Sequence, residues 1–295
     1  MRTLVDCIPC ILRQSLAGAR LVSEDPAVHE RLVRDVMRWA AEMDLNQPPV
    51  ALVQRIQRRL RGMTDTRDPY RTAKERLNTI ALELLPSFRA DVRDSADPLL
   101  MASRLAIAGN VMDMGAYADL KEEAVRDVMR QALAAPFSGE LEKFRRAIAE
   151  AQSILYLADN AGEIAFDRLL IEQLDSKPVT IVVRGSAVLN DATRSDALVV
   201  GLDELAEIID NGSDAPGTVL DKCSPEFRRR FAEADLIIAK GGGNFESLNN
   251  DPGPIFFLFK VKCEPIAKLI GQPNGMQVLM RTTSVPAAPV AAGAR

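Results

Sequence analysis

The chain has 295 residues, 47% of them hydrophobic, a formal net charge of −4 and a single histidine, His29. That is apolar material for one large domain or two smaller ones, and the charge lacks the Lys and Arg excess of a nucleic-acid binder, so no nucleic-acid partner is expected. No apolar run approaches the roughly 20 residues that cross a bilayer, and an N-terminus carrying Asp6 and two cysteines does not read as a secretory signal, so no membrane partner and a cytoplasmic location are expected.

Apolar positions at three- and four-residue spacing (Ile11, Leu12, Leu16; Leu32, Val36, Trp39, Ala40) predict a helical region over 9–41. His29 lies within it among structural residues, which speaks against Ser-His-Asp or Cys-His chemistry and His-rich zinc sites. A helix over 51–61 follows, its Arg55, Arg58, Arg59 and Arg61 reading as a solvated face. Asp68-Pro69 begins a further helix, 73–85, which Pro86 is expected to end. Asp97-Pro98 starts a more apolar helix over 99–108 that runs into Gly109-Asn110. Asn110 and Asp113 share a face if that helix continues and would then reach a common ligand; otherwise they form a helix stop with Asp113 capping the next turn. Helical patterns over 120–133 and 139–151 complete this part.

From there strands and helices alternate. Strands are predicted over 153–157, 179–183, 235–239, 255–261 and 277–280, and helices over 163–174, 191–198 and 224–232. Alternation of this kind implies right-handed crossovers and a parallel sheet with helices on both faces. The expected fold is α/β: a three-layer, Rossmann-like, mostly parallel sheet domain over 151–283, preceded by an α-helical N-terminal region over 1–150. The Ala- and Pro-rich 284–295 reads as a flexible tail.

In an open parallel sheet ligands bind beyond the carboxyl ends of the strands. There the chain carries Asp159-Asn160, then Asn190-Asp191, then Lys240-Gly241-Gly242-Gly243-Asn244, and finally Lys260 within the strand-like 255–261. Asp159, Asn160 and Asp191 are hard oxygen donors suited to Mg²⁺ or Mn²⁺; the competing reading is an Asx turn and an N-cap. The glycines leave backbone N–H groups open to an anion, with Lys240 adding charge. The run is neither a P-loop, since Lys240 precedes the glycines, nor a dinucleotide fingerprint, since Glu246 stands at the third glycine position. A metal beside a phosphate cradle describes phosphoryl chemistry, with attack by a metal-activated water or by a carboxylate such as Asp159 or Asp191. Glu163 and Asp167 are the nearest further carboxylates and read as ordinary helix charge complementing the dipole.

At Asp159-Asn160-Ala161-Gly162-Glu163, Asn190-Asp191-Ala192-Thr193, Lys240 to Glu246, Phe259 to Cys263 and Gly109-Asn110 through Asp113, the chain closely resembles the damage-control phosphatase family, which includes proteins described as acidic-residue carboxyl methyltransferases. The resemblance implies a helical region on a three-layer α/β domain and metal-dependent hydrolysis of small phosphorylated metabolites, notably sugar phosphates, with Mn²⁺, Mg²⁺, Co²⁺ or Ni²⁺ as cofactor. Carried over by residue, Asp159, Asn160 and Asp191 look like the metal ligands; Lys240, Gly241, Gly242, Gly243, Asn244 and Lys260 resemble substrate-phosphate contacts, joined by Asn110 and Asp113. Cys7-Ile8-Pro9-Cys10 looks like the mark of the family's prokaryotic branch; the spacing alone also suits a redox pair, half of a metal site or two thiols on a helix face. Two other functions stand beside the phosphatase: an S-adenosylmethionine-dependent carboxyl methyltransferase, and a non-enzymatic metal- or metabolite-binding module.

Overall fold

In the computed structural model, which describes residues 1–64, 66–111, 122–174 and 177–282, seven strands form one sheet: β1 (Phe137–Gly139), β2 (Ile154–Leu157), β3 (Val179–Val183), β4 (Glu207–Asp210), β5 (Leu236–Lys240), β6 (Ile255–Lys260) and β7 (Gln277–Arg281). Their order is β1-β7-β6-β5-β2-β3-β4. The five from β6 to β4 run parallel, β7 is antiparallel to β6, and β1 is parallel to β7. The central strand, Ile-Leu-Tyr-Leu, is buried at every position, as a parallel strand covered on both faces must be. Leu157 pairs with Val182 on one side and Ala239 on the other, so the carboxyl ends of β2, β3 and β5 lie level. The chain crosses to opposite sides of β2 to make β3 and β5, which puts the switch point of the sheet at the tip of β2.

Alternate side chains divide between two layers. Ile154, Tyr156, Ile181, Val183, Ile238, Phe256 and Leu258 face one core, built with α4 (Arg71–Arg93), α5 (Pro98–Ala108), α6 (Glu122–Ala134), α7 (Leu141–Glu150), α8 (Glu163–Ile171) and α9 (Arg194–Val199). Leu155, Leu157, Val182, Ile237, Ala239, Phe257 and Phe259 face the other, with α10 (Pro225–Glu233), α11 (Gly241–Leu248) and α12 (Glu264–Ile270). A smaller third core joins α1 (Cys7–Val22), α2 (Pro26–Glu42) and α3 (Pro49–Thr64). The expected three-layer, mostly parallel α/β fold with N-terminal helices is the one observed.

Several details differ from the sequence reading. Pro86 does not end its helix: α4 runs through it to Arg93, because Leu84, Leu85, Phe88 and Val92 are all buried and that packing offsets the roughly 3 kcal/mol of an interior proline. A division at residue 150 does not separate two cores, since α4 to α7 form one layer of the sandwich and β1 pairs with β7. The strand β4 escaped notice because only Ile208 and Ile209 in it are apolar, and α12 because it follows β6 after only a short connection. The 284–295 tail lies outside the described residues. Among the described residues no helix is long and apolar enough to cross a membrane.

Candidate active site

Backbone hydrogen bonds sew together the loops that follow β2 and β3. The Ala161 N–H donates to Asn190 O at 2.8 Å, the Ala192 N–H to Asp159 O at 2.8 Å and the Arg184 N–H to Ala192 O at 2.9 Å. Asn160 and Asp191 consequently form an antiparallel bridge. This zipper brings the two acidic strand ends to one place. The alternative roles are taken by other residues: Thr193 is the N-cap of α9 in a capping box with Asp196, and Gly162, at φ +77°, is the N-cap of α8. Asp159, Asn160 and Asp191 cap no helix.

The layer above locks these loops. Asn78 in α4 accepts from the Gly162 N–H at 2.7 Å and donates to Asp196 at 3.0 Å; Lys74 pairs with Asp196 at 2.9 Å and Asp68 at 3.0 Å. From the turn after α5, Asn110 Nδ2 reaches Glu163 Oε2 at 2.9 Å and Asp159 Oδ2 at 3.2 Å. Asn160 Nδ2 makes the same pair of bonds, at 3.0 and 2.8 Å. Asn110 thus lies against Asp159 and Glu163; Asp113 lies outside the described residues.

Glu163 and Asp167 are far from ordinary solvated helix charge. Both are 1% exposed, and the Lys240 ammonium donates to Glu163 Oε1 at 2.7 Å, Asp167 Oδ1 at 2.6 Å and the Ala106 carbonyl at 2.7 Å. Those three bonds use all the protons of Lys240, so its charge is spent on the carboxylates and not on an open anion pocket, which corrects the expectation of a phosphate contact at this ammonium. Burial pulls the Lys240 pKa down, but Asp167 and Glu163 more than offset it and hold it above its ordinary value. Asp167 rises to about 6, through burial against the pull of Lys240. Asp159 is pushed well above the carboxylate range, first by burial and then by Glu163 and Asp191.

Arg184, at the end of β3, is the residue that sequence reasoning passed over. It is 2% exposed; its Nε donates to Asp191 Oδ2 at 2.6 Å and its Nη1 to Asn244 Oδ1 at 3.3 Å. Its Nη2 lies 3.8 Å from Asp159 Oδ1 and has no hydrogen-bond partner among the described residues. The available signal was an arginine extending the β-branched run Val179 to Val183 straight into Gly185. For Glu163 and Asp167 it was an acidic pair one turn apart in a helix whose other positions are nearly all apolar.

The glycine run is the first turn of α11 and not a loop. Gly241 has φ +77°, and a Cβ there would fall 1.9 Å from Asp159 Oδ2, so the Asp159 carboxylate occupies the space that any other residue would fill. A Cβ at Gly243 would meet the Pro216 carbonyl oxygen at 2.1 Å, whereas at Gly242 nothing among the described residues lies within 4 Å. First-turn N–H groups have no intrahelical acceptor and carry the positive end of the helix dipole. The Asn244 side chain is saturated: Nδ2 donates to Lys240 O at 2.7 Å and Ala158 O at 3.2 Å, and Oδ1 accepts from Thr218 Oγ1 at 2.8 Å. The side chain of Lys260, half-buried at the end of β6, makes no hydrogen bond or ion pair among the described residues, and Lys262 Nζ donates to Asn110 O at 3.3 Å. Among the described residues no three His, Cys, Asp or Glu side chains converge on one point; the donors at the loop zipper are two carboxylates and an amide.

The fold and this cluster define a doubly wound α/β protein with a buried carboxylate site at the switch point of its sheet. The chain belongs to the damage-control phosphatase ARMT1-like family, whose domain matches residues 3–278. It is 35% identical over 272 residues to a damage-control phosphatase of Archaeoglobus fulgidus, covering 90% of this chain and 94% of that protein. A damage-control phosphatase of Pyrococcus horikoshii is 31% identical over 289 residues, 95% and 98% of the two chains, and an uncharacterised protein of Methanocaldococcus jannaschii is 36% identical over 292 residues, 94% of each. The crystal structure of a DUF89 family protein from Pyrococcus horikoshii superposes with a TM-score of 0.86 at 29% identity, covering 96% of this chain and 99% of that one.

Proposed function

We propose that this protein is a divalent-metal-dependent phosphatase that hydrolyses small phosphorylated metabolites such as sugar phosphates. The observation that carries the reading is a charge imbalance: four buried carboxylates, Asp159, Glu163, Asp167 and Asp191, share two buried cations, Arg184 and Lys240. Uncompensated buried charge is costly, and one divalent cation restores neutrality. The donors fit it, since Asp159, Asp191 and the Asn160 amide offer hard oxygens suited to Mn²⁺, Mg²⁺, Co²⁺ or Ni²⁺, and the missing Cβ of Gly241 leaves room for the Asp159 carboxylate. When bound, such an ion neutralises phosphate oxygens and makes water a nucleophile at neutral pH.

The chain's own residues then divide the work. Glu163, held by Lys240, fixes Asn110 and Asn160; Arg184 holds Asp191 by Nε and turns its Nη2 towards Asp159. The phosphate is received by the first turn of α11 at Gly241 to Gly243 and by Lys260, which supply N–H donors and charge. Because Asp159 and Asp191 are both already held by hydrogen bonds, we take water as the attacking group, oriented by these two carboxylates. The anion-receiving helix start favours this reading over methyl transfer.

Phosphate release from a panel of sugar phosphates, measured with each of the four metals and again with chelator, tests the proposal. Metal-dependent release from at least one substrate, abolished in Asp159→Ala, is expected. Folded protein that releases no phosphate from any member with any metal would reject it.

A further inference from the structure

The phosphatase reading leaves one motif unused. Cys7 and Cys10 stand one turn apart on the same face of α1, and all four cysteines are free. The chain before them is pinned to the α/β layers: the Met1 amine donates to the Glu246 carbonyl in α11, the Cys7 N–H donates to Leu4 O at 2.9 Å, and Met1 and Leu4 pack in the same apolar cluster as Cys263. Cys263 is the N-cap of α12, and its thiol feels the thiols of Cys7 and Cys10. Residues from opposite ends of the sequence thus pack beside the Cys7–Cys10 turn.

These thiols are not equivalent. Burial, followed by Glu246, Cys10 and Asp6, pushes the Cys7 thiol above its ordinary value against the hydrogen bond from Leu4, and burial pushes Cys263 in the same direction. Cys10 differs in having a cation: Arg13 Nη2 donates to its Sγ at 3.9 Å from the exposed side of the helix, so an incoming disulfide meets a positive group beside this sulfur. The first turn of α1 has no side-chain cap to resist closing on a disulfide.

We propose that Cys10 and Cys7 form a thiol–disulfide exchange site for low-molecular-weight disulfides, with Cys10 attacking and Cys7 resolving. Cys10 gives up its proton and its thiolate attacks one sulfur of the disulfide RSSR, forming a Cys10–S–S–R bond and expelling RS⁻. Cys7 gives up its proton and attacks Cys10 Sγ, forming the Cys7–Cys10 disulfide and expelling the second RS⁻. Two protein thiols are oxidised, RSSR is reduced, and the two released protons complete two RSH. The inference does not depend on the phosphatase reading.

Oxidised glutathione added to the full-length reduced protein, followed by non-reducing peptide mapping against time, tests it. Wild-type protein is expected to acquire a Cys7–Cys10 disulfide and retain no adduct. Cys7→Ser should accumulate glutathione on Cys10, Cys10→Ser should lose both adduct and disulfide, and Arg13→Gln should slow the first step. Cys263→Ser, with unchanged thermal unfolding, should still form the disulfide, which keeps the test clear of misfolding. Adduct appearing first on Cys7 or Cys263, Cys10 in Cys7→Ser reacting no faster than buried Cys223, or stoichiometric zinc held by the thiols would each overturn the proposal.

Discussion

Substituting alanine in turn at Gly241, Gly242 and Gly243 separates the site from the fold within three consecutive residues. At Gly241 the new Cβ would lie 1.9 Å from Asp159 Oδ2 and 2.2 Å from its Cγ, where ordinary contact begins at 3.4 Å, so the carboxylate must retreat by well over an ångström. A displacement of that size in a reacting constellation costs on the order of 100-fold in rate. The left-handed backbone adds about 1–2 kcal/mol of strain for a residue with a Cβ. Gly241→Ala is therefore expected to lose about 1–3 kcal/mol of stability and, by calorimetry with Mn²⁺, at least about tenfold in affinity, which corresponds to ~1.4 kcal/mol. Gly242→Ala, with open space around the new methyl, should match wild type in both. Gly243→Ala collides with the Pro216 backbone and should lose stability with a smaller change in Mn²⁺ affinity. Wild-type Mn²⁺ affinity and turnover in Gly241→Ala would refute the placement of Asp159 against this glycine as a functional contact.

Arg184→Met removes the buried partner of Asp191 and should lower the unfolding free energy by about 3–5 kcal/mol; a urea midpoint equal to wild type would contradict that role. Glu163→Gln removes one negative charge and the acceptor shared by Asn110 and Asn160, so Mn²⁺ affinity measured calorimetrically should fall by about tenfold or more with helical content unchanged; equal affinity would count against Glu163 as a positioning residue. Asp214 ties α3 to the sheet layer through Gln54, Arg58 and Arg61. Burial would raise its pKa, but those hydrogen bonds win and hold it at about 2, below the ordinary 3.8. A depressed folded pKa means stability that is fully present above 3.8 and lost as pH falls towards 2. The stability gap between wild type and Asp214→Asn, followed by urea unfolding, should shrink over that window, and a gap constant with pH would refute the assignment.

The fold was largely legible because each layer announces itself by pattern: an apolar run at 154–157, a β-branched run at 179–183 and three-four spacing in the helices. What stayed hidden depended on contacts distant in sequence. Pro86 reads as a stop until the buried faces of Leu84 and Phe88 are seen, and β4 has too few apolar residues to stand out. At the candidate site, Asp159, Asn160 and Asp191 could be singled out because acidic and amide residues directly follow apolar runs. Lys240 was located but its direction was not, since only the fold shows that its ammonium turns to Glu163 and Asp167. Those two carboxylates were discounted for the same reason: a helix position predicts solvent until the opposite layer covers it. Arg184 was overlooked because a cation at a strand end is usually exposed, and its burial follows from α11 and the loop zipper closing over it.

The central claim is that two carboxylates and an amide at the tip of β2 hold a divalent cation beside an anion-receiving helix start. Anomalous diffraction from crystals soaked in MnCl₂ tests this most directly. One strong manganese peak bonded to oxygens of Asp159, Asn160 and Asp191 is expected. A peak elsewhere in the molecule, or none at saturating Mn²⁺, would contradict it.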